Sequence, residues 1–127
     1  MEAVRAFYER YNRGDIDGAM ELFAPDAQLN NCVLGQVFDG SAAIRGFLDE
    51  YADIVEDPKA EPGELTQDDD LIIVPVNLRG RLRHTGITED ILPTELVHGF
   101  RLRDGKLAWF AICASTHEVL SAAGRHE

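Results

Sequence analysis

The chain has 127 residues, 45% of them hydrophobic and 8% aromatic, which is typical of one globular domain. Its 23 acidic and 12 basic residues give a formal charge of −11 at pH 7, which disfavours binding to nucleic acid or anionic membranes. The charged start has no apolar run of signal-peptide length, and nothing reaches the ~18 apolar residues of a membrane span. We therefore expect a single cytoplasmic domain, 1–127, without a nucleic-acid or membrane partner.

The cysteines, the acidic run and the histidines show no metal-binding spacing and no disulfide framework. Cys32 and Cys113 are two cysteines far apart, too few for a disulfide framework. A reducing compartment is therefore expected, with Cys113 as an inert core thiol. The acidic run 68–70 lacks the ligand spacing of a calcium loop, and His117 lacks a second histidine at helical spacing. The sequence predicts no metal and no cofactor.

Three helices are predicted before most of the sheet. The first carries an apolar stripe at helical spacing, formed by Val4, Phe7, Tyr8 and Tyr11. Asp15 is a natural N-cap for a second helix that runs through Phe23 and ends at Pro25. A short strand, Ala27–Val33, follows. Ser41 is expected to cap a third helix that ends near Asp57-Pro58 and carries the stripe Ile44, Phe47, Leu48, Tyr51 and Val55.

The second half of the chain has the alternation of β-strands. The segment 59–67 is polar and contains proline, so it is at best an edge strand, and the acidic run 68–70 is expected to form a hairpin turn. Further strands are predicted over Leu71–His84, Pro93–Arg103 and Leu107–Ser115, with a loop over Gly86–Ile91 and a turn at Asp104-Gly105. The last strand is apolar on both faces, which predicts a covering layer on each side. Helices packed on one curved sheet give an α+β domain with a concave site.

Several motifs resemble those of a known superfamily. They are the runs FYERYNRGD at 7–15, LFAPDA at 22–27, FDGSAAIR at 38–45 and FRLRDGKL at 100–107. Together they resemble the nuclear transport factor 2-like superfamily, and within it the SnoaL-like branch of ketosteroid isomerase and polyketide cyclases. The resemblance implies a cone-shaped α+β barrel, with three N-terminal helices packed on a strongly curved, mostly antiparallel sheet. It also implies a homodimer, formed through the outer face of the sheet.

The resemblance also locates the positions that carry chemistry in ketosteroid isomerase. The catalytic base of that enzyme corresponds to Asn31, its phenol donor to Phe7, and its proton-sharing carboxylic acid to His98. An amide does not take up a proton at neutral pH, and phenylalanine has no hydroxyl. Ketosteroid isomerisation by that mechanism is therefore not expected. Tyr8 and Tyr11 lie nearby on the first helix, and either is a candidate phenol.

Two polar residues are predicted to point inward. Alternation along its strand places His98 on the apolar side, where it is either a general acid/base or a core histidine held by a hydrogen bond. Asn31 shares the parity of Leu29, and it either binds a water or a substrate carbonyl or bonds its own loop. The arginines at 79, 81 and 83 are either an anion-binding row or a solvated or dimer-facing stripe.

These residues define the predicted site. The catalytic candidates are His98, Asn31, Tyr11 and Tyr8, and the predicted pocket-lining residues are Phe7, Leu29, Phe47, Tyr51, Val76, Leu96, Phe100, Phe110 and Ala114. The first hypothesis is a metal-free enzyme that moves protons on a small apolar metabolite bearing a carbonyl or hydroxyl, as an isomerase, cyclase or hydrolase. The alternative is a non-catalytic domain that binds a hydrophobic ligand or dimerises.

Overall fold

The computed structural model describes residues 1–84, 87–90 and 94–124. The helices in these residues are α1 (Glu2–Asn12), α2 (Ile16–Met20), α3 (Ser41–Ile54) and α4 (Thr116–Ala122). The strands are β1 (Phe23–Asn31), β2 (Gln36–Asp39), β3 (Val55–Pro62), β4 (Thr66–Asp68), β5 (Leu71–His84), β6 (Ile87–Asp90), β7 (Thr94–Arg103) and β8 (Lys106–Cys113).

All the described strands belong to one mixed, mostly antiparallel sheet. Its order is β2-β1-β8-β7-β5-β3, and β4 and β6 both pair with β5. The β1–β8 pair is parallel, whereas the other pairs are antiparallel. Helices α1, α2 and α3 pack with the sheet around a core that contains Phe7, Leu29 and Phe100. The predicted α+β barrel architecture is confirmed.

The second predicted helix is shorter than expected. Asp15 caps it as predicted, accepting a hydrogen bond from the Gly18 N–H at 2.9 Å, but α2 ends at Met20 and Phe23 already belongs to β1. The pairing of β1 with β8 shifts register between Phe23 and Gln28. Pro25 has no N–H to give to the ladder, and it lies in this irregular stretch.

The ends of α3 also differ slightly from the prediction. Gly40, with φ of 92°, occupies the N-cap position without a side-chain hydrogen bond, and Ser41 is the first helical residue. At the other end Val55 is already extended and pairs with Leu82 of β5. The helix therefore ends at Ile54, before the predicted Asp57-Pro58.

The strand predictions hold for most of the second half. Strand β5 covers Leu71–His84 as predicted, β3 lies at an edge of the sheet, and the turn after β4 has Asp69 at φ of 60°. The predicted loop over Gly86–Ile91 is wrong for Ile87–Asp90, which pairs with β5. Its β-branched start, Ile87-Thr88, favours a strand over a loop. Gly86 and Ile91 lie outside the described residues.

The C-terminal helix α4 was not predicted, and it covers the outer face of the sheet. Ser115 caps it by accepting from the Glu118 N–H at 3.2 Å. The helix packs on the sheet in a second apolar cluster, formed by Leu71, Trp109, Ala111, Cys113, Val119 and Ala123. The apolar character of β8 on both faces is thereby explained, since the core covers one face and α4 the other.

The two cysteines are paired, contrary to the prediction of free thiols. A disulfide joins Cys32 to Cys113, with the two Cα atoms 4.8 Å apart. The pairing follows from topology, because β1 and β8 are parallel neighbours and Cys32 lies just after β1 while Cys113 ends β8. The Cys32 N–H also donates to the Ile112 carbonyl at 2.8 Å. Counting cysteines could not reveal this proximity.

Two features are absent from the described part of the chain, a membrane-spanning helix and a metal-binding cluster. None of its helices is long and apolar enough to cross a membrane. Within the same residues, no three His, Cys, Asp or Glu side chains are grouped closely enough to hold a metal ion.

Candidate functional site

A cavity of about 230 Å³ lies between the helices and the inner face of the sheet. Helix α1 contributes Phe7 and Tyr11, and helix α3 contributes Phe47, Leu48 and Tyr51. The sheet supplies the opposite wall. The lining is overwhelmingly apolar, and none of the described lining residues is an aspartate, glutamate, lysine or arginine.

The two polar residues buried in the core of the described chain both line this cavity. His98 is 4% exposed and Asn31 is 3% exposed. Both are paired in register with Ile112 of β8, so they form one row with it across β1, β8 and β7. Because neighbouring strands lie about 4.8 Å apart, the row brings the two polar side chains to the same part of the cavity wall.

His98 is held by a tyrosine from the first helix. The Tyr8 hydroxyl lies 2.7 Å from His98 Nδ1, and the two rings lie end to end with centroids 5.9 Å apart and planes 8° from parallel. Phe110 meets the same imidazole edge-on at 5.1 Å. The imidazole is therefore fixed on both sides, and Nε2 is the ring nitrogen left for the cavity.

Burial keeps both members of this pair uncharged. Desolvation lowers the pKa of His98 from 6.5 to about 3, because the interior disfavours the imidazolium. The same effect raises the pKa of Tyr8 well above its ordinary value. At neutral pH a neutral phenol thus faces a neutral imidazole. A group with so low a pKa is a weak base, and it is better suited to hydrogen bonding than to proton abstraction.

Asn31 lies at the end of β1 and is also partly engaged. Its Oδ1 accepts a hydrogen bond from the Leu34 N–H at 3.1 Å, which closes the turn that leads to β2. The loop bond and the position at the cavity, which were alternatives in the sequence, therefore occur together. The carboxamide nitrogen is the part of the side chain that this bond leaves available.

The tyrosines divide into two groups. Tyr11 lines the cavity and is buried, and its pKa is raised by desolvation and, to a lesser extent, by Tyr51. Tyr51 lines the cavity too. Tyr8 does not line it, because its hydroxyl is directed at His98. Of the four catalytic candidates, the structure thus brings His98, Asn31 and Tyr11 to the cavity and places Tyr8 behind His98.

The predicted lining residues are partly at the cavity and partly elsewhere. Phe7, Phe47, Tyr51, Leu96 and Phe110 line it. Leu29, Val76 and Phe100 do not, because they are packed in the solid part of the core, and Ala114 is exposed beyond the end of β8. Alternation identifies the inner face of a strand, but it does not tell which inward residues meet a void.

Six lining residues were missed by the sequence reasoning. They are Val33, Leu34, Leu48, Ala60, Leu78 and Ile112. Leu48 and Leu78 belong to apolar stripes that the sequence does show, whereas Val33 and Leu34 are in a turn and are 52% and 61% exposed. Their exposure marks them as the rim of the cavity.

The side chains of Arg79, Arg81 and Trp109 lie away from the site. Arg79 forms an exposed ion pair with Glu61 of the edge strand, and Arg81 is exposed. The side chain of Arg83 lies outside the described part of the chain. Trp109 is on the outer face beneath α4, where Arg101 stacks over it at 5.3 Å. The side chains of Arg79 and Arg81 and this indole do not border the cavity.

Comparison with protein families gives one match over most of the chain. The SnoaL-like domain family matches residues 4–110. No curated protein sequence matches the chain significantly.

Solved structures share the fold over nearly the whole length. A candidate polyketide cyclase from Sinorhizobium meliloti is 27% identical, with a TM-score of 0.74 over 88% of this chain and 94% of its own. A Catenulispora acidiphila protein with a ketosteroid isomerase-like fold, in complex with trimethylamine, is 16% identical, with a TM-score of 0.78 over 98% and 94%. IdmH, a candidate polyketide cyclase from Streptomyces antibioticus, is 22% identical, with a TM-score of 0.74 over 97% and 96%.

Proposed function

Because the chain belongs to the SnoaL-like family, whose fold serves small-molecule enzymes and ligand binders, we propose that it is an enzyme of the isomerase, cyclase or hydrolase type. Its substrate would be a small apolar metabolite that carries a carbonyl or hydroxyl. One observation carries the proposal: the two buried polar residues, His98 and Asn31, both border an otherwise apolar cavity. Apolar walls with a few convergent polar groups are typical of small-molecule sites.

The proposed chemistry is proton movement next to an oxygen held by these residues. An N–H donor that contacts a carbonyl oxygen stabilises the negative charge that develops when a neighbouring C–H loses its proton. Return of the proton at another carbon gives an isomer, and attack of the enol carbon on a second carbonyl closes a ring. The low pKa of His98, about 3, favours a neutral imidazole in this role, and a hydroxide ion or buffer base that reaches the cavity mouth would take the proton.

Deuterium exchange tests this proposal. We expect the protein to accelerate incorporation of deuterium at C1 of 2-tetralone in buffered D₂O, followed by NMR, because those protons are acidified by the adjacent carbonyl. His98→Asn keeps an acceptor near Nδ1 for the Tyr8 hydroxyl but is too short to place an N–H where Nε2 lies, so it should reduce the acceleration at least 10-fold. His117→Asn, at an exposed position on α4, should leave the acceleration unchanged. Exchange at the buffer rate while the ketone is bound would contradict catalysis.

The second candidate function is binding without turnover. The absence of any carboxylate among the described lining residues favours it, since no strong base adjoins the cavity. Native mass spectrometry after gentle purification distinguishes the two. A retained apolar molecule that is released chemically unchanged, together with no exchange of 2-tetralone, would support the binder.

Assembly and location are separate proposals. We propose a homodimer, as the family resemblance implies, but not through Trp109, Ala111 and Cys113, which α4 of the same chain covers. Sedimentation velocity at micromolar concentration should give a dimer, and a monomer would contradict it. A cytoplasmic location is also still a prediction, and the Cys32–Cys113 bond opposes it because reducing compartments keep thiols reduced. Alkylation of thiols in intact cells tests this: two modified cysteines would support a cytoplasmic location, and two unmodified cysteines would contradict it.

A further inference from the structure

His98 and Asn31 have only part of their hydrogen-bonding capacity left for a ligand at the cavity. A neutral imidazole has one donor nitrogen and one acceptor nitrogen, and a carboxamide has an oxygen that accepts through two lone pairs and a nitrogen that donates two N–H groups. Bonds within the protein use one group of each side chain. Which group they use determines what kind of ligand atom the cavity can hold.

For His98 the buried bond to Tyr8 uses the acceptor. Among the described residues, the Tyr8 hydroxyl has His98 Nδ1 as its hydrogen-bond partner, at 2.7 Å. If Nδ1 carried the proton, the phenol O–H would be left without an acceptor, and a buried unsatisfied donor is costly. The hydroxyl therefore donates to an unprotonated Nδ1. The ring proton is then on Nε2, the nitrogen left for the cavity.

For Asn31 the bond to the main chain also uses the acceptor. The Leu34 N–H can only donate, so the atom that it meets at 3.1 Å is the carboxamide oxygen. The NH₂ group remains. Both polar side chains at the cavity thus have N–H donors to offer.

We propose that the cavity recognises a carbonyl oxygen of an apolar ligand, and that Tyr8 is a positioning residue that sets this preference by fixing the tautomer of His98. The inference rests on the proposed function and narrows its substrate class from carbonyl or hydroxyl compounds to ketones and related acceptors. A carbonyl oxygen accepts hydrogen bonds and has no proton of its own that needs a partner. A hydroxyl bound to the same donors also brings an O–H that needs an acceptor, and His98 has none left for it, so a hydroxyl gains less from this group than a carbonyl does.

The tautomer is tested directly by ¹⁵N NMR of the histidine rings. The chain has four histidines, and the His98 signals are assigned by their loss in His98→Gln. We expect Nδ1 at the shift of an unprotonated nitrogen and Nε2 at that of a protonated one. In Tyr8→Phe both shifts should move toward the average of the two tautomers, whereas Tyr51→Phe should leave them in place. A protonated Nδ1 in the unmodified protein would overturn the role of Tyr8, even if Tyr8→Phe fails to fold.

The ligand preference is tested with a matched pair, 2-tetralone and tetralin, which share a skeleton and differ by the carbonyl. One hydrogen bond of ordinary net strength predicts that the ketone binds up to about 10-fold more tightly. Tyr8→Phe should reduce this ratio, and the affinity for tetralin should change little. Equal affinities in the unmodified protein, or no binding of the ketone, would overturn carbonyl recognition.

A failure of carbonyl recognition can be distinguished from a failure of the proposed catalytic activity. The tautomer and the affinity ratio are measured without turnover. A ketone that binds preferentially but exchanges its protons at the buffer rate would overturn catalysis and support carbonyl recognition.

Discussion

Burial lowers the pKa of His98, so the stability of the folded protein should depend on pH. The folded pKa of about 3 lies below the ordinary value of 6.5, so between these pH values the unfolded chain binds a proton that the folded chain does not. The stability contributed by neutral His98 is thus complete above pH 6.5 and is lost as the pH falls toward 3. We expect the free energy of unfolding to fall by up to about 1.4 kcal/mol per pH unit in this range.

Urea unfolding between pH 7.5 and 5 measures this dependence, because most carboxylates remain ionised there. His98→Gln keeps an acceptor for the Tyr8 hydroxyl but does not titrate, so its stability should depend less steeply on pH. Equal slopes for the two proteins would show that the imidazole is not desolvated.

A carboxyl group at position 31 should make stability depend on pH in the opposite direction. Asn31→Asp keeps an oxygen for the Leu34 N–H, but it places a carboxyl group in an apolar cavity without a cationic partner among the described lining residues. Desolvation should raise the pKa of the introduced carboxyl, so this variant is near full stability at pH 4 and loses stability as the pH rises through its folded pKa. Denaturation of the variant and the unmodified protein at pH 4 and 8 checks it. A constant difference between them would contradict the prediction.

The sequence predicts where these residues face, but not what they bind. Alternation along β7 and β1 is enough to place His98 and Asn31 inward. The partner of His98 depends on how α1 is rotated against the sheet, and periodicity leaves that rotation open between Tyr8 and Tyr11. The structure settles it with Phe7 and Tyr11 at the cavity and Tyr8 behind the imidazole.

The packing of helix α4 on strand β7 depends on Gly99, which has no side chain. A Cβ at Gly99 would lie 2.5 Å from Val119 Cγ1 and 3.2 Å from Trp109 Cζ3. Gly99→Ala should therefore push α4 from the sheet and destabilise the protein by about 1–3 kcal/mol. Thermal and urea unfolding measure the change.

Two further variants control that experiment. At Gly46, in the exposed part of α3, a Cβ would meet nothing within 4 Å, so Gly46→Ala should stabilise the helix by up to about 1 kcal/mol. Val119→Ala removes the closest atom, and in the double variant the cost of Gly99→Ala should shrink. If the cost is the same with and without Val119, contact with α4 is not its cause.

Helix α4 has a signal in the sequence that predicts it. Its seven residues are too few for a clear apolar stripe, yet Ser115 and Glu118 have the spacing of a capping box. That signal, together with the doubly apolar β8, was sufficient to predict a covering helix. The end of α2 is harder to predict from the sequence, because Phe23 fits the apolar stripe of a helix and the alternation of a strand equally well. Its pairing in the sheet places it in β1.

The family motifs are sufficient to predict the fold of the molecule. The disulfide could not be predicted from them, because it depends on which residues are close in three dimensions. Residues 7–15 and 38–45 are capping, turn and packing segments, so they identify an architecture without identifying a reaction. Cys32 and Cys113 are 81 residues apart in sequence, and neither has a neighbour that signals pairing. Their contact exists because β1 and β8 run parallel at the centre of the sheet.

The disulfide should stabilise the molecule considerably, because it closes a long loop in the unfolded chain. For a separation of 81 residues, Cys32→Ala with Cys113→Ala should lower the free energy of unfolding by about 2–4 kcal/mol. Urea unfolding of the oxidised protein, the double variant and the protein in a thiol reductant measures this. The reductant should bring the unmodified protein close to the variant and leave the variant unchanged.

The same bond also fixes one side of the cavity, so its loss should affect binding as well as stability. Cys32 directly follows Asn31 and precedes the rim residues Val33 and Leu34, and Cys113 directly follows Ile112. Without the bond the turn that holds the Asn31 carboxamide is tied to β8 by main-chain contacts such as Cys32 N–H to Ile112, and it should be less well ordered. We therefore expect the double variant, where folded, to bind 2-tetralone more weakly. Mass spectrometry showing two free thiols in the air-oxidised protein would contradict both expectations.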